Sequence, residues 1–549
     1  MLRRALFVAA CGMPVLVPGV AHACGGFFCS TAPIQQAGET IVYGLEDDGT
    51  VTMAVQVQYA GLDDDFAWIL PVPVPPDEVA LGSDALFSAL TLATEPVFTR
   101  TERTDGDCRD VPRCVHPDGS PSYGGGCSFG EASSPSYYMG PYVDAGPPRD
   151  AARAPTPDAA RADGGVTVFS EGSLGPYETV VLGAATAPEI LAWLGEHGYD
   201  VPSRAAPLID AYASQGHVFI ALRLSAERTT SLLRPIVMHL PTSEACLPIR
   251  LTAIATTPLL PITALFLGRA PATSRNYSRI EIDVDDPAFW TGERSWDAEV
   301  IAGARALGGQ AFATEYAGPT PRVALERPPI DDLATATTAF EVMRALRDRG
   351  YNAEPDLERI LLATMPPPAS WSGSARAYYD CLASTSCPQP DVFDPAALVE
   401  AIEREIRAPA HVAQQLVDRH GHLTRLVTTM RAEEMTLDPI FIEDPGLPAV
   451  SNVHLATLAT ECDAEHYRHA APQVLELPSG ARHPWADGTI ADDHAYCAAM
   501  GLVLPSEARP PRSGSCLCAV GQRGQWRGWV LVVALALVLL RRWHGAARD

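Results

Sequence analysis

Hydrophobic and polar positions alternate along VTMAVQVQY. Val51, Met53, Val55, Val57 and Tyr59 fall on one side, and Thr52, Ala54, Gln56 and Gln58 on the other. Period two with one polar face predicts a half-buried strand. In the DDDFAWILPVPVPP segment, Phe66, Trp68 and Leu70 keep the alternation. Pro71, Pro73, Pro75 and Pro76 then force an extended or edge path. HVFIALRL, PIVMHLP, PIRLTAIAT and PITALFLG read as successive further strands. After Thr186 the period lengthens. Thr186-Ala187-Pro188-Glu189 is a capping box ahead of Ile190, Leu191 and Leu194, and Gly198 closes that helix. Helices dominate from about residue 293. One covers 331–349 and ends at Gly350; another opens at Asp394-Pro395 and carries Leu398, Ile402 and Ile406 on one stripe. HVAQQLVDRHGHLTRLVTTM extends this helical region to 430, and 431–502 reads as irregular with short strands such as QVLELPSG.

These patterns predict a mixed α+β fold, mostly antiparallel, whose β-rich domain comprises residues 24–104 and 166–292. Between those parts, residues 105–165 break the pattern with PSYGGGCSFG and DAGPPRDAARAPTPDAARADGG. Large apolar side chains are scarce there, so the segment reads as an insertion and linker without stable contacts over 144–165.

The two ends carry their own signals. Arg3 and Arg4 precede an apolar run, Ala5 to Val20, interrupted by Pro14 and Pro18, and Ala21-His22-Ala23 follows. This is the pattern of a secretory signal peptide, residues 1–23, rather than of a first membrane span. Cleavage after Ala23 makes Cys24 the first mature residue. Ala21 and His22 depart from the Leu and small residue that a lipoprotein signal places before its Cys. At the other end, a Pro/Ser/Arg stalk and the pair Cys516 and Cys518 (503–528) precede the apolar run Trp529 to Leu540, with Arg541 and Arg542 behind it. At ~1.5 Å per residue the run spans roughly 18 Å, against a hydrocarbon core of ~30 Å. A short helix with a basic stop beside a cysteine motif reads as a processing signal, with the tail 529–549 held in the membrane until it is cut. The tail resembles the myxobacterial C-terminal sorting signal known as MYXO-CTERM. That resemblance implies a sorting protease as partner and Cys516 or Cys518 as the processing and lipid-attachment residue.

The formal charge of −26 moves to about −28 once Arg3 and Arg4 leave with the signal. Nothing supplies the basic face that a nucleic-acid partner requires. Every basic side chain apart from histidine is Arg; the sequence has no Lys. That excludes a phosphate-loop lysine, a pyridoxal Schiff base and a Ser–Lys pair. Without Cys11 in the signal and Cys516 and Cys518 in the tail, ten cysteines remain. An even number in an exported chain reads as disulfides, and the absence of CxxC pairs argues against zinc. The local pairs are Cys24 with Cys29, Cys381 with Cys387 and Cys462 with Cys497; Cys108, Cys114, Cys127 and Cys246 are left without an assigned connectivity.

No GxSxG, HExxH, GxxxxGK[ST] or EF-hand pattern occurs. Asp63, Asp64 and Asp65 lack calcium-loop spacing and read as a solvated turn. His411 and His422 share a face if their segment is one helix, whereas His420 and His422 point apart. Asp492-Asp493-His494 has metal-ligating residue types on adjacent positions that rarely converge. Trp68, Trp193, Trp290 and Trp296 read as core rather than as sugar platforms. No catalytic residue, metal or cofactor is assigned.

ACGGFFC, VQYAGLDDDFAWILPVP, GSLGPYETVVL, ILAWLGEHGY and PIRLTAIAT occur in the order found in the bacterial family called domain of unknown function 2330, which the chain therefore resembles. LTRLVTTMRAEEMTLDPIF and VSNVHLAT are similar to the C-terminal extension of its myxobacterial members. The resemblance implies an exported protein, often with a C-terminal anchor, and brings no activity with it. The expectation is an envelope or surface protein that binds, spaces or scaffolds. The alternatives are a surface hydrolase with a dispersed active site and an uncleaved single-span membrane protein.

Overall fold

The computed structural model describes residues 27–28, 35–60, 67–118, 161–163, 165–199, 201, 203–224, 233–254, 256–383 and 387–509. The chain divides into two compact units. The larger comprises 1–103, 139–459 and 474–483, and the smaller 104–138, 460–473 and 484–549.

Two large sheets make up the body of the larger unit, beside a three-stranded sheet in the order Ala245–Cys246, Ile440–Glu443 and Ala272–Ser274; a four-stranded sheet runs in the order Arg482–Ala486, Gln473–Glu476, Val453–Glu461 and Val97–Asp105. Of the large pair, one has six antiparallel strands in the order Phe27–Phe28, Ala67–Val72, Val218–Leu224, Tyr177–Gly183, Val166–Leu174 and Arg161–Asp163. The other has eight, in the order Ser278–Ile280, Ala311–Pro319, His422–Met430, Leu260–Gly268, Gln35–Leu45, Val51–Ala60, Ile236–Leu240 and Glu78–Leu81. It is antiparallel except where Ser278–Ile280 meets Ala311–Pro319 and where Leu260–Gly268 meets Gln35–Leu45. Alternation decides which side chains go where. Trp68, Leu70, Ile41, Tyr43, Met53 and Phe266 fill the layer between the sheets. Ile69, one position on, faces the helices Ala187–Glu196 and Ala206–Ala213 instead. On the far side of the eight-stranded sheet, Val42, Ala54 and Leu265 meet the helices Asp84–Thr94 and Ala408–Asp418. The result is a four-layer α/β/β/α sandwich, an α+β fold. A separate helical core gathers Tyr351, Tyr378, Leu398 and Ile402.

The local signals act as the sequence implies at Thr186, whose capping box with Glu189 is made, and at Asp394, whose carboxylate accepts from the Ala397 N–H at 3.0 Å. Other segments depart from the reading. PIRLTAIAT is no strand: it turns and closes in a 3₁₀ turn, Thr252–Ile254. Its apolar residues serve two cores, Ile249 between the sheets and Leu251 and Ile254 under the helices, so alternation there reflects a bridge across a layer. The stretch 293–430 is not wholly helical, since Ala311–Pro319 and His422–Met430 are strands. Its last helix stops at Asp418, and Gly421 turns the chain into HLTRLVTTM, rich in β-branched residues. Arg161–Asp163 pairs with Val166–Leu174, so regular structure begins inside the segment read as a linker. Beyond 431, Ile440–Glu443, Val453–Glu461, Gln473–Glu476 and Arg482–Ala486 are strands, and Asp493–Ala499 is a helix. No helix among the described residues is long and apolar enough to cross a membrane.

The cysteine pairing differs as well. Cys381 and Cys387 bridge each other. Cys462 and Cys497 do not pair together: Cys462 joins Cys108 and Cys497 joins Cys114. Arg109 bridges to Tyr467 and Val115 to Val503, so the short 104–118 segment runs beside the chain near both partners. Cys24, Cys29, Cys127, Cys516 and Cys518, like Asp63, Asp64 and Asp65, lie outside the described residues.

Candidate functional site

At one end of the eight-stranded sheet, the edge strand Ser278–Ile280 and the chain following it face Pro448–Leu455 across an open cleft of about 670 Å³. Trp296 and His454 line it, with Ile280, Ile282, Val453 and Leu455. Trp296 opens the helix Trp296–Ala306, capped by the Ser295 hydroxyl. His454 lies on the strand Val453–Glu461. Its ring stacks on Trp296 at 5.7 Å and on Phe98 at 4.7 Å, and Phe98 stacks in turn on Phe289. Aromatic contacts of this kind fix ring orientation beyond what area burial does.

A buried ion pair holds the tryptophan. The Trp296 indole N–H donates to Glu315 Oε1 at 2.6 Å, and the other Glu315 oxygen pairs with Arg425 Nε at 2.5 Å. Arg425 also donates to the Thr91 carbonyl and the Thr94 hydroxyl. Burial raises the Glu315 carboxyl, and Arg425 opposes that shift. Burial lowers the His454 imidazole, which favours its uncharged form, and its buried Nε2 finds no partner among the described residues. The Ser451 hydroxyl is engaged with the Val453 backbone. At the rim Arg279 and Glu281 offset each other at 3.5 Å. Apart from that ion pair the walls are uncharged, apolar and partly aromatic. Such a surface is suited to contact with a flat or apolar group, and its lining residues do not assemble a nucleophile, base and oxyanion donors.

Two other hollows differ. Around Cys246, a cavity of about 10 Å³ is lined by Tyr43, His217 and Glu244, room for about one water. Burial pushes the Cys246 thiol well up, so it behaves as a small apolar side chain. In the helical part, an open cleft of about 850 Å³ carries Arg359, Arg404, Glu400 and Glu405. Asp356 pairs with Arg234 at 3.0 Å and Arg359 at 3.3 Å, and Glu405 pairs with Arg359 and, at 2.8 Å, with Arg404. Burial would raise Glu405, yet these arginines hold it below the usual range. Glu400 meets Arg404 at 4.0 Å, so three carboxylates match the three arginines of this string.

The histidines read from the sequence are dispersed. His411 sits on the helix Ala408–Asp418 against Glu326, and His422 opens a strand, so the two share no helix face. His420 is buried, with Nδ1 against the Leu416 carbonyl. Asp492 caps the Asp493–Ala499 helix, Asp493 pairs with Arg109 and His494 with Glu507. Among the described residues, no three His, Cys, Asp or Glu gather as a metal site. Trp68, Trp193 and Trp290 are buried, whereas Trp296 is half-exposed. Phe98 and His454 gave no local signal, because only tertiary pairing brings them to Trp296.

Fold and cleft together define an α/β/β/α sandwich protein with an aromatic-walled hollow at the end of its larger sheet. The chain belongs to the family described as an uncharacterized protein conserved in bacteria (DUF2330), whose model matches residues 18–347. No curated protein and no solved structure matches it.

Proposed function

We propose that this is an exported protein, anchored at the cell envelope through its C-terminal tail, that acts by binding rather than by turnover. The Trp296–His454 cleft holds the ligand, a molecule presenting a flat apolar face. The observation behind the binding reading is the pinned ring: Glu315 and Arg425 fix Trp296 in an uncharged wall, which is preorganisation for contact. The export reading draws on the pattern of residues 1–23 and on three disulfides. The anchor is Cys516 or Cys518, modified after a sorting protease removes 529–549.

Two measurements test this. Intact mass of the protein from its producing cell is expected to show a chain starting at Cys24 and ending near Cys516 or Cys518. Peptides from Trp543 to Asp549 in the surface-bound form would leave an uncleaved span. A chain of residues 24–509 should co-sediment with washed envelope, and Trp296→Ala should weaken that at least fivefold. Unchanged sedimentation of the variant would remove the cleft from the account.

A further inference from the structure

We propose that the smaller unit is an oxidation-dependent module: it holds its structure only while the Cys108–Cys462 and Cys114–Cys497 bridges are intact, and reduction unfolds it while the larger unit stays folded. This goes beyond the binding reading and does not depend on it.

The argument begins with what the unit buries. Among its described residues only Tyr467, Ala471 and Cys497 are buried. One tyrosine, one alanine and a half-cystine make no apolar core of the size that folds alone. Backbone pairing within it comes in short pieces. The Cys462 N–H donates to the Asp105 carbonyl and the Glu461 N–H to that of Pro472; Arg109 with Tyr467, Val115 with Val503 and His466 with Ile490 are isolated bridges, and the helix Asp493–Ala499 has seven residues. The polar contacts are of the kind solvent weakens: Arg109 pairs with Asp493 at 2.9 Å, both partly exposed. The Tyr467 ring meets Tyr496 at 5.1 Å and His469 at 5.7 Å, and its hydroxyl donates to Asp493. These contacts are solvent-accessible and few against so little buried apolar surface, and two covalent ties reinforce them. The two bridges join the 104–118 segment to residues 354 and 383 positions further along the chain.

The larger unit contrasts with this. Its sheets bury Ile41, Ile220, Ile262 and Phe266 at 0–1% exposure, and its one described bridge, Cys381–Cys387, lies in a helical region with an apolar core of its own. The chemistry is reversible. Each bridge forms when two thiols give two electrons and two protons to a disulfide acceptor, which becomes a dithiol. Dithiothreitol runs the step back: its sulfurs close into a cyclic disulfide as two cysteine thiols are released.

The test is limited proteolysis of the full-length oxidised protein, with and without dithiothreitol, the cleavage sites mapped by mass spectrometry and the thiols counted by alkylation. Reduction is expected to speed cleavage within 104–118, 460–473 and 484–509 at least tenfold, with the strands 218–224 and 260–268 still protected. The paired changes Cys108→Ser with Cys462→Ser, and Cys114→Ser with Cys497→Ser, should each raise cleavage in the same segments without reductant. Equal protection in both redox states would overturn the proposal. So would cleavage spreading equally through both units, or alkylation of all four cysteines in the untreated exported protein.

Discussion

Glu39 sits on the strand Gln35–Leu45 at 5% exposure, with the Gln36 side-chain amide donating to it at 2.8 Å. Among the described residues no Arg or His pairs with it. Burial pushes its carboxyl up to about 7 from 4.5, against the lowering by Gln36. The unfolded chain therefore loses this proton first as pH rises. Stability contributed by neutral Glu39 is fully present below about pH 4.5, falls between 4.5 and 7, and stays lowered above. The shift corresponds to on the order of 3 kcal/mol. Glu39→Gln should remove that slope and raise the melting temperature at pH 8 while changing it little at pH 4.5. Thermal denaturation across this range checks it, and parallel curves for the two proteins would contradict it. Buried arginines are treated differently: Arg425 and Arg234 each meet a carboxylate. Sequence reading had no access to these pairs, because Glu315 with Arg425 and Arg234 with Asp356 are joined only by strands and helices distant along the chain.

At the scale of elements, alternation and capping were readable where a regular element keeps each face against a single core, although the Thr52 and Ala54 face read as polar is buried too. Val51–Ala60, Val218–Leu224 and the Thr186-capped helix are such cases. The reading failed where one segment serves two layers, as at Ile249 and Leu251, and where a strand directly follows a helix, as at His422. Cys462 and Cys497 look like a local pair, yet the 104–118 segment takes both partners. The Cys381–Cys387 bridge closes a loop of six positions, for which chain entropy gives about 2 kcal/mol. Replacing both with Ser should lower stability by about that much and leave the fold intact. Denaturant unfolding measures it; loss of all structure would mean that the bridge, and not the core around Tyr378 and Ile402, holds that region.

For the whole molecule, the family match ends at residue 347, whereas the strand His422–Met430 lies inside the eight-stranded sheet, between Leu260–Gly268 and Ala311–Pro319. A chain ending at Arg347 would expose both neighbours as free edges. It should aggregate on size-exclusion chromatography, while one extended to Arg509 should elute as a discrete species. A soluble, cooperatively melting 24–347 fragment would show that the sheet tolerates the loss. The placement of this strand also sets a clock. Gln35–Leu45 finds its parallel neighbour only after some two hundred residues, and the sheet has no complete middle until residue 430 has emerged. Pairings this distant close slowly, because the entropy of the intervening chain is lost before contacts offset it. During synthesis the hairpin of Gln35–Leu45 and Val51–Ala60 therefore waits with one edge unpaired, and whatever shields nascent chains from one another bears on the yield of this protein as well as its final stability.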